Sequence, residues 1–137
     1  AAEINSSMPH YVVNKIAEAL NEQRRSFNGA TVLMLGVAYK RNVGDVRESP
    51  ALDIIQAMIR RKAVVLYNDE YVPSLKLHDR TMHSQALSSG LLQAADCVVI
   101  VTDHSYYDIS WIVNEARCIV DSRNMTRGYT DAKIYRL

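Results

Sequence analysis

The residues of this 137-residue chain that have the chemistry to do work gather in a few short stretches. The densest is LGVAYKRNVGDVRESP, Leu35 to Pro50, which carries Tyr39, Lys40, Arg41, Asp45, Arg47 and Glu48 around two glycines. Others are YND with Asn68 and Asp69, VTDH with Thr102, Asp103 and His104, and DSRN with Asp121, Arg123 and Asn124. An ammonium and a planar guanidinium, Lys40 and Arg123, suit a phosphate or diphosphate. Ion pairs with Asp45 or Asp121 would account for the same two residues. Asp69 has the chemistry to accept from a ribose hydroxyl, but an aspartate ending a strand reads first as a turn residue. His104 has the chemistry of a base, and a lone loop histidine reads first as polar surface. No Ser-His-Asp arrangement, paired-carboxylate site or activated cysteine can be assembled. Cys97 and Cys118 sit in apolar runs and read as buried thiols of a reduced cytosol, without CxxC or His spacing for a metal.

Elements must position these groups. SSMPHYVVNKIAEALNEQ places Val12, Ile16 and Leu20 on one helical face, with Val13 and Ala17 beside them, and Ser6 or Ser7 can cap the first turn ahead of Pro9. Four apolar runs read as strands: Thr31–Leu35, AVVLYND, DCVVIVTDH and RCIVDSRN. Between them, ALDIIQAMIRR is a helix with Leu52, Ile55 and Ile59 inward, ALSSGLLQAA a short helix weakened by Gly90, and DISWIVNEA another. The stretch YVPSLKLHDRTMHSQ has no clear period and reads as loop with at most a short edge strand. Tyr106, Tyr107 and Trp111 read as packing of a helix onto the sheet. The predicted fold is α/β: a Rossmann-like open parallel sheet with helices on both faces, preceded by the end of a long connecting helix. In such sheets ligands bind beyond the carboxyl ends of the strands, where every stretch named above falls.

Composition narrows the classes. A net charge of +1 gives no general pull toward nucleic acid or membrane, and there is no long apolar run or signal peptide. The chain starts at Ala1 and enters a helix almost at once, so it is expected to be a piece of a longer protein. A dinucleotide-binding domain would want G-x-G-x-x-G after its first strand, whereas Gly36 is followed by Val37, Ala38 and Tyr39. A phospho-acceptor signalling domain would want an acidic pair there, and LGVAYK has none.

Together, VLMLGVAYKRNVGDVRESPALDII, YNDEYVP, LLQAADCVVIVTDHSYYD and IVDSRNMTRG resemble the C-terminal domain of the UDP-glucose/GDP-mannose dehydrogenase family, with wording closest to the branch acting on UDP-N-acetylhexosamines. The resemblance runs from INSSMPHYVV to DSRN. It implies a cytoplasmic NAD-dependent enzyme, a homodimer when full length, that oxidises the sugar C6 alcohol to a carboxylate through a cysteine-bound intermediate. It makes residues 1–25 the tail of the central helix and 26–137 the UDP-binding domain. It implies that Tyr39, Lys40 and Arg123 contact the UDP-sugar and that Arg47 reaches across a cleft to NAD. The family's catalytic cysteine and NAD fingerprint have no match here, so the chain alone is expected to be inactive. UDP-glucose is the alternative substrate. Lys62 stands where a helix-ending glycine is usual, and Glu70 where DP is common.

Overall fold

The computed structural model describes residues 2–137, with side chains from Met8 onward. Helix α1 (Ala2–Glu22) is followed by β1 (Thr31–Leu35), α2 (Ala51–Arg60) and β2 (Val64–Asn68). Then come β3 (Ser74–Lys76), β4 (Thr81–His83), α3 (Ser89–Ala94), β5 (Cys97–Ile100), α4 (Ile109–Glu115), β6 (Ile119–Asp121) and β7 (Ile134–Arg136). Five strands form one sheet in the order β2-β1-β5-β6-β7, every pair parallel. The predicted α/β fold is therefore the one observed.

Strand alternation divides the core. Val32, Met34, Cys97, Val99, Cys118 and Val120 face α1 and α2. Leu33, Leu35, Val98, Ile100 and Ile119 face α3 and α4. Both faces are covered, which is why the strands read as continuous apolar runs rather than as alternation. Each fully buried Leu or Ile contributes roughly 1.5–3 kcal/mol of transfer free energy. The two cysteines are buried neighbours, Cys97 at the start of β5 and Cys118 just before β6, their Sγ atoms 3.9 Å apart.

Several details depart from the sequence reading. Helix α1 begins at Ala2, so Ser6 and Ser7 lie within it and Pro9 is internal, where it removes one helical N–H donor. Ala17 is exposed and Ala19 takes its place in the core. In α2 the inward face is Ala51, Ile54, Ile55 and Met58, with Leu52 and Ile59 only half-buried. Of the predicted stripe Leu52, Ile55 and Ile59, only Ile55 is fully buried, and the observed stripe lies about one position toward the N-terminus. The aperiodic stretch after β2 folds as its own antiparallel hairpin, β3–β4, and the fifth strand, β7, was not anticipated. Gly90 lies in the first turn of α3, where Ser88 caps the Leu91 N–H and the weakening matters little. Lys62 has a left-handed φ of 70° just past the end of α2, the conformation in which glycine is favoured.

Candidate functional site

Strand order reverses at β1, which lies between β2 and β5 although β2 follows it in the chain. The loop after β1 therefore opens at a switch point, beside the loops after β2, β5 and β6. Gly36 starts it with φ +87°, and a Cβ there would meet Thr102 Cβ at 2.4 Å. The Gly36 N–H donates to Asn68 O at 2.9 Å, and Thr102 Oγ1 donates to Ala38 O at 2.7 Å. The turn is thus filled by protein, in keeping with the missing dinucleotide fingerprint.

Asp69 fixes the next residues. It is fully buried, at 0% exposure, so its carboxylate serves the protein's interior and not a ligand. Its Oδ2 accepts from the Val37 and Ala38 N–H groups at 2.9 and 3.2 Å and from His104 Nε2 at 2.8 Å. Its Oδ1 accepts from the Tyr71 N–H at 2.9 Å. The turn reading of Asp69 captures only that last bond. His104 is not polar surface: it is buried completely, with Tyr71, Tyr106 and Tyr107 around its ring. The Asn42 N–H donates to its Nδ1 at 2.8 Å, which puts the ring proton on Nε2, facing Asp69. Tyr107, buried under α4 with its hydroxyl on Asn68 O, has its phenol pushed up by desolvation.

The far side of the site is set by Asp121. Its buried carboxylate accepts from the N–H groups of Arg123, Met125 and Thr126 and from the Thr126 hydroxyl. Occupied in that way, it does not pair with the Arg123 guanidinium, which instead reaches Asp103 at 3.3 Å. Lys40 has no ion-pair partner among the described residues. An open cleft of about 380 Å³ is lined by Met8, Tyr39, Lys40, Glu48, Pro50 and Arg123. Three residues singled out as substrate contacts in the sequence, Tyr39, Lys40 and Arg123, meet there. Arg123 also borders a smaller cleft, about 240 Å³, with Arg41 and Arg127.

Arg47 does not line the 380 Å³ cleft. It makes a two-pronged contact with Asp45, Nε to Oδ1 at 3.1 Å and Nη2 to Oδ2 at 3.0 Å, with its side chain 87% exposed. These bonds hold the Asp45 carboxyl at about 2, against an ordinary 3.8. A folded-state value below the unfolded one means that the pair's contribution is complete above pH 3.8 and is lost as pH falls toward 2. Carboxyl-carbon NMR is expected to show Asp45 titrating near 2. In Arg47→Ala the midpoint should return toward the ordinary value; an unchanged midpoint would mean that the arginine is not its cause.

Asn42 was absent from the residues singled out in the sequence. Its left-handed φ of 60° suits asparagine, and its side-chain oxygen accepts from Ser105 N and Oγ at 3.0 and 3.1 Å. The only trace in the sequence is an asparagine in a charged loop.

Residues 33–128 match the model of the UDP-glucose/GDP-mannose dehydrogenase family, UDP binding domain. The chain belongs to this family. As a UDP-binding domain of that family it is 29% identical over 128 residues to the NDP-N-acetyl-D-galactosaminuronic acid dehydrogenase of Ralstonia nicotianae, covering 91% of this chain and 29% of the relative. It is 31% identical over 133 residues to the UDP-N-acetyl-D-mannosamine dehydrogenase of Methanocaldococcus jannaschii, with the same coverage. The structure of UDP-D-ManNAc dehydrogenase from Pyrococcus horikoshii superposes with a TM-score of 0.78 at 27% identity, over 98% of this chain and 31% of that one. This UDP-binding domain thus spans under a third of the length of these relatives. The family comprises nucleotide-sugar dehydrogenases, which are oxidoreductases and generally NAD-dependent. Among the described residues, no helix is long and apolar enough to cross a membrane.

Proposed function

We propose that the chain holds the UDP moiety of a nucleotide sugar for an NAD-dependent 6-dehydrogenase that oxidises a UDP-N-acetylhexosamine to the uronic acid. The observation that carries the reading is the convergence of Lys40 and Arg123, from loops 83 residues apart in sequence (123 − 40), on one open cleft with Tyr39 at its wall. The ammonium and the guanidinium neutralise the diphosphate, and the tyrosine ring offers a face and a hydroxyl to the nucleoside or sugar. The N-acetylhexosamine assignment is supported by what the similar proteins are named for, N-acetylmannosamine and N-acetylgalactosaminuronic acid.

Among the described residues, the turn after β1 does not fit an NAD pyrophosphate. The Gly36 amide is spent on Asn68, and the space above it is filled by Thr102, so no backbone cradle is open to a pyrophosphate. NAD belongs to another domain in this reading. Arg47, fixed in direction by Asp45 and exposed, is the one group proposed to extend toward it. Cys97 in β5 and Cys118 just before β6 are both buried, so neither serves as a nucleophile in this reading, and the chain alone is expected to reduce no NAD with any UDP-sugar. In the proposed full-length homodimer, residues 1–25 continue the central helix and 26–137 are the UDP-binding unit.

UDP titrated into the 137-residue chain by calorimetry is expected to bind in the millimolar to high-micromolar range, roughly −4 to −6 kcal/mol, because few contacts must offset the association cost. Lys40→Ala and Arg123→Ala should each weaken binding about tenfold or more, since a charged hydrogen bond contributes roughly 1.5–3 kcal/mol. Arg123→Lys should recover only part, and Arg47→Ala should leave UDP affinity nearly unchanged. Wild-type affinity in both alanine variants would place the nucleotide elsewhere.

A further inference from the structure

Nothing in the reading above requires a histidine, yet the His104 side chain, like that of Asp69, ties the loop after β1 to both neighbouring strand ends. Its Nε2 donates to Asp69, which follows β2, and its Nδ1 accepts from the backbone of Asn42, two residues beyond Lys40. Asn42 in turn receives the Ser105 N–H and hydroxyl on its side-chain oxygen, so both ends of the Asn42 residue are held by the His104–Ser105 segment. The first part of the same loop hangs from Asp69 through Val37 and Ala38, and the Tyr39 N–H donates to Asp45 O at 2.6 Å. Tyr39 and Lys40 therefore sit on a short span pinned at Ala38 and Asn42. Their side chains are exposed and, among the described residues, make no hydrogen bond or ion pair that would direct them.

We propose that His104 is a positioning residue: its Nδ1 bond to the Asn42 N–H aims Tyr39 and Lys40 into the cleft shared with Arg123. The proposal rests on the UDP-binding reading for what the loop is aimed at, but not for the bond itself. One ring does two separable jobs. The Nε2 side satisfies a buried carboxylate and serves stability. The Nδ1 side carries no such burden and serves the loop.

Two substitutions divide these jobs. In His104→Asn the amide oxygen falls where Nδ1 was and can accept from Asn42, while the donor to Asp69 is lost. In His104→Gln the amide nitrogen falls where Nε2 was and can donate to Asp69, while the acceptor for Asn42 is lost. UDP titration is expected to show His104→Gln weakened about fivefold or more and His104→Asn within about threefold of wild type, an effect the size of one hydrogen bond. Thermal stability should fall in both, so stability and affinity will not track. Amide hydrogen exchange at Asn42 should be fast in His104→Gln and slow in His104→Asn. Equal UDP affinities in the two folded variants would overturn the proposal. In the wild-type chain, which needs no variant to fold, scalar coupling between the Asn42 amide nitrogen and His104 Nδ1 should be measurable, and saturating UDP should slow Asn42 exchange further. Unchanged exchange on saturation would also overturn it. If the wild type binds no UDP, the functional reading falls, and equal Asn42 exchange in the two variants would then show that His104 does not hold the loop.

Discussion

Asp69→Ala is expected to leave the chain largely unfolded. The substitution strands the buried Val37 and Ala38 N–H groups, the buried His104 Nε2–H and the part-buried Tyr71 N–H, where each donor had a carboxylate oxygen within 3.2 Å. A buried donor left unsatisfied costs about 1–3 kcal/mol, and three of these are buried while the Tyr71 N–H is part-buried, so the loss is at least about 3 kcal/mol even with partial relaxation. Against a typical total of roughly 5–15 kcal/mol, that is enough to abolish or severely reduce the folded population. Asp69→Asn is the finer probe. Its oxygen can face the three donors on one side only if its NH2 group faces the Tyr71 N–H, one donor against another, for a loss of about 1–3 kcal/mol. Urea denaturation should rank wild type above Asp69→Asn above Asp69→Ala. An alanine variant that unfolds at the wild-type urea concentration would mean that the carboxylate does not hold this corner together.

Gly36→Ala carries the second large effect. At φ +87° an L side chain costs about 1–2 kcal/mol. The new methyl would also lie 2.4 Å from Thr102 Cβ and 2.8 Å from Thr102 N and O, and displacing packed backbone adds about 1–3 kcal/mol. The sum is roughly 2–5 kcal/mol. Gly128 provides the control. It has nearly the same φ, +89°, but nothing within 4 Å of its Cβ position. Gly128→Ala should therefore cost only the conformational part, about 1–2 kcal/mol. Equal losses at the two glycines would show that contact with Thr102 is not what constrains the first turn. Because Thr102 Oγ1 holds Ala38 O, the shift at Gly36 should also reduce UDP affinity, whereas the change at Gly128 should not.

The sheet was legible because β1, β2, β5 and β6 are unbroken apolar runs ending in polar residues, which is what burial on both faces requires. That Lys40 and Arg123 could share a phosphate site followed from their charges and from the rule that ligands gather at strand carboxyl ends, whereas Tyr39 was singled out as a contact only through the family resemblance. Other features carried no periodic signal. The strand Ile134–Arg136 is three residues long, and β3–β4 pairs only with itself, so neither repeats long enough to be read. The roles of Asp69 and His104 were misjudged for a different reason. A polar residue after a strand looks the same in sequence whether it faces water or is roofed by aromatic rings, and the roof here comes from Tyr71, Tyr106 and Tyr107. Asn42 was invisible because the partner of its N–H lies 62 residues away.

The position of β1 also dictates how the chain must fold. Val32 pairs with Val65 and with Cys97, so the central strand gains its neighbours only after loops of 33 and 65 residues have closed (65 − 32 and 97 − 32). Closing such loops before any contact rewards them places a domain of this kind among the slower single-domain folders, on the order of milliseconds to seconds. The loop bearing Lys40 is held from Asp69 on one of those late neighbours and from His104 beyond the other. It acquires its shape only when both crossovers are complete, so a partly folded chain with an intact α1 and a paired β1–β2 would lack the cleft between Lys40 and Arg123.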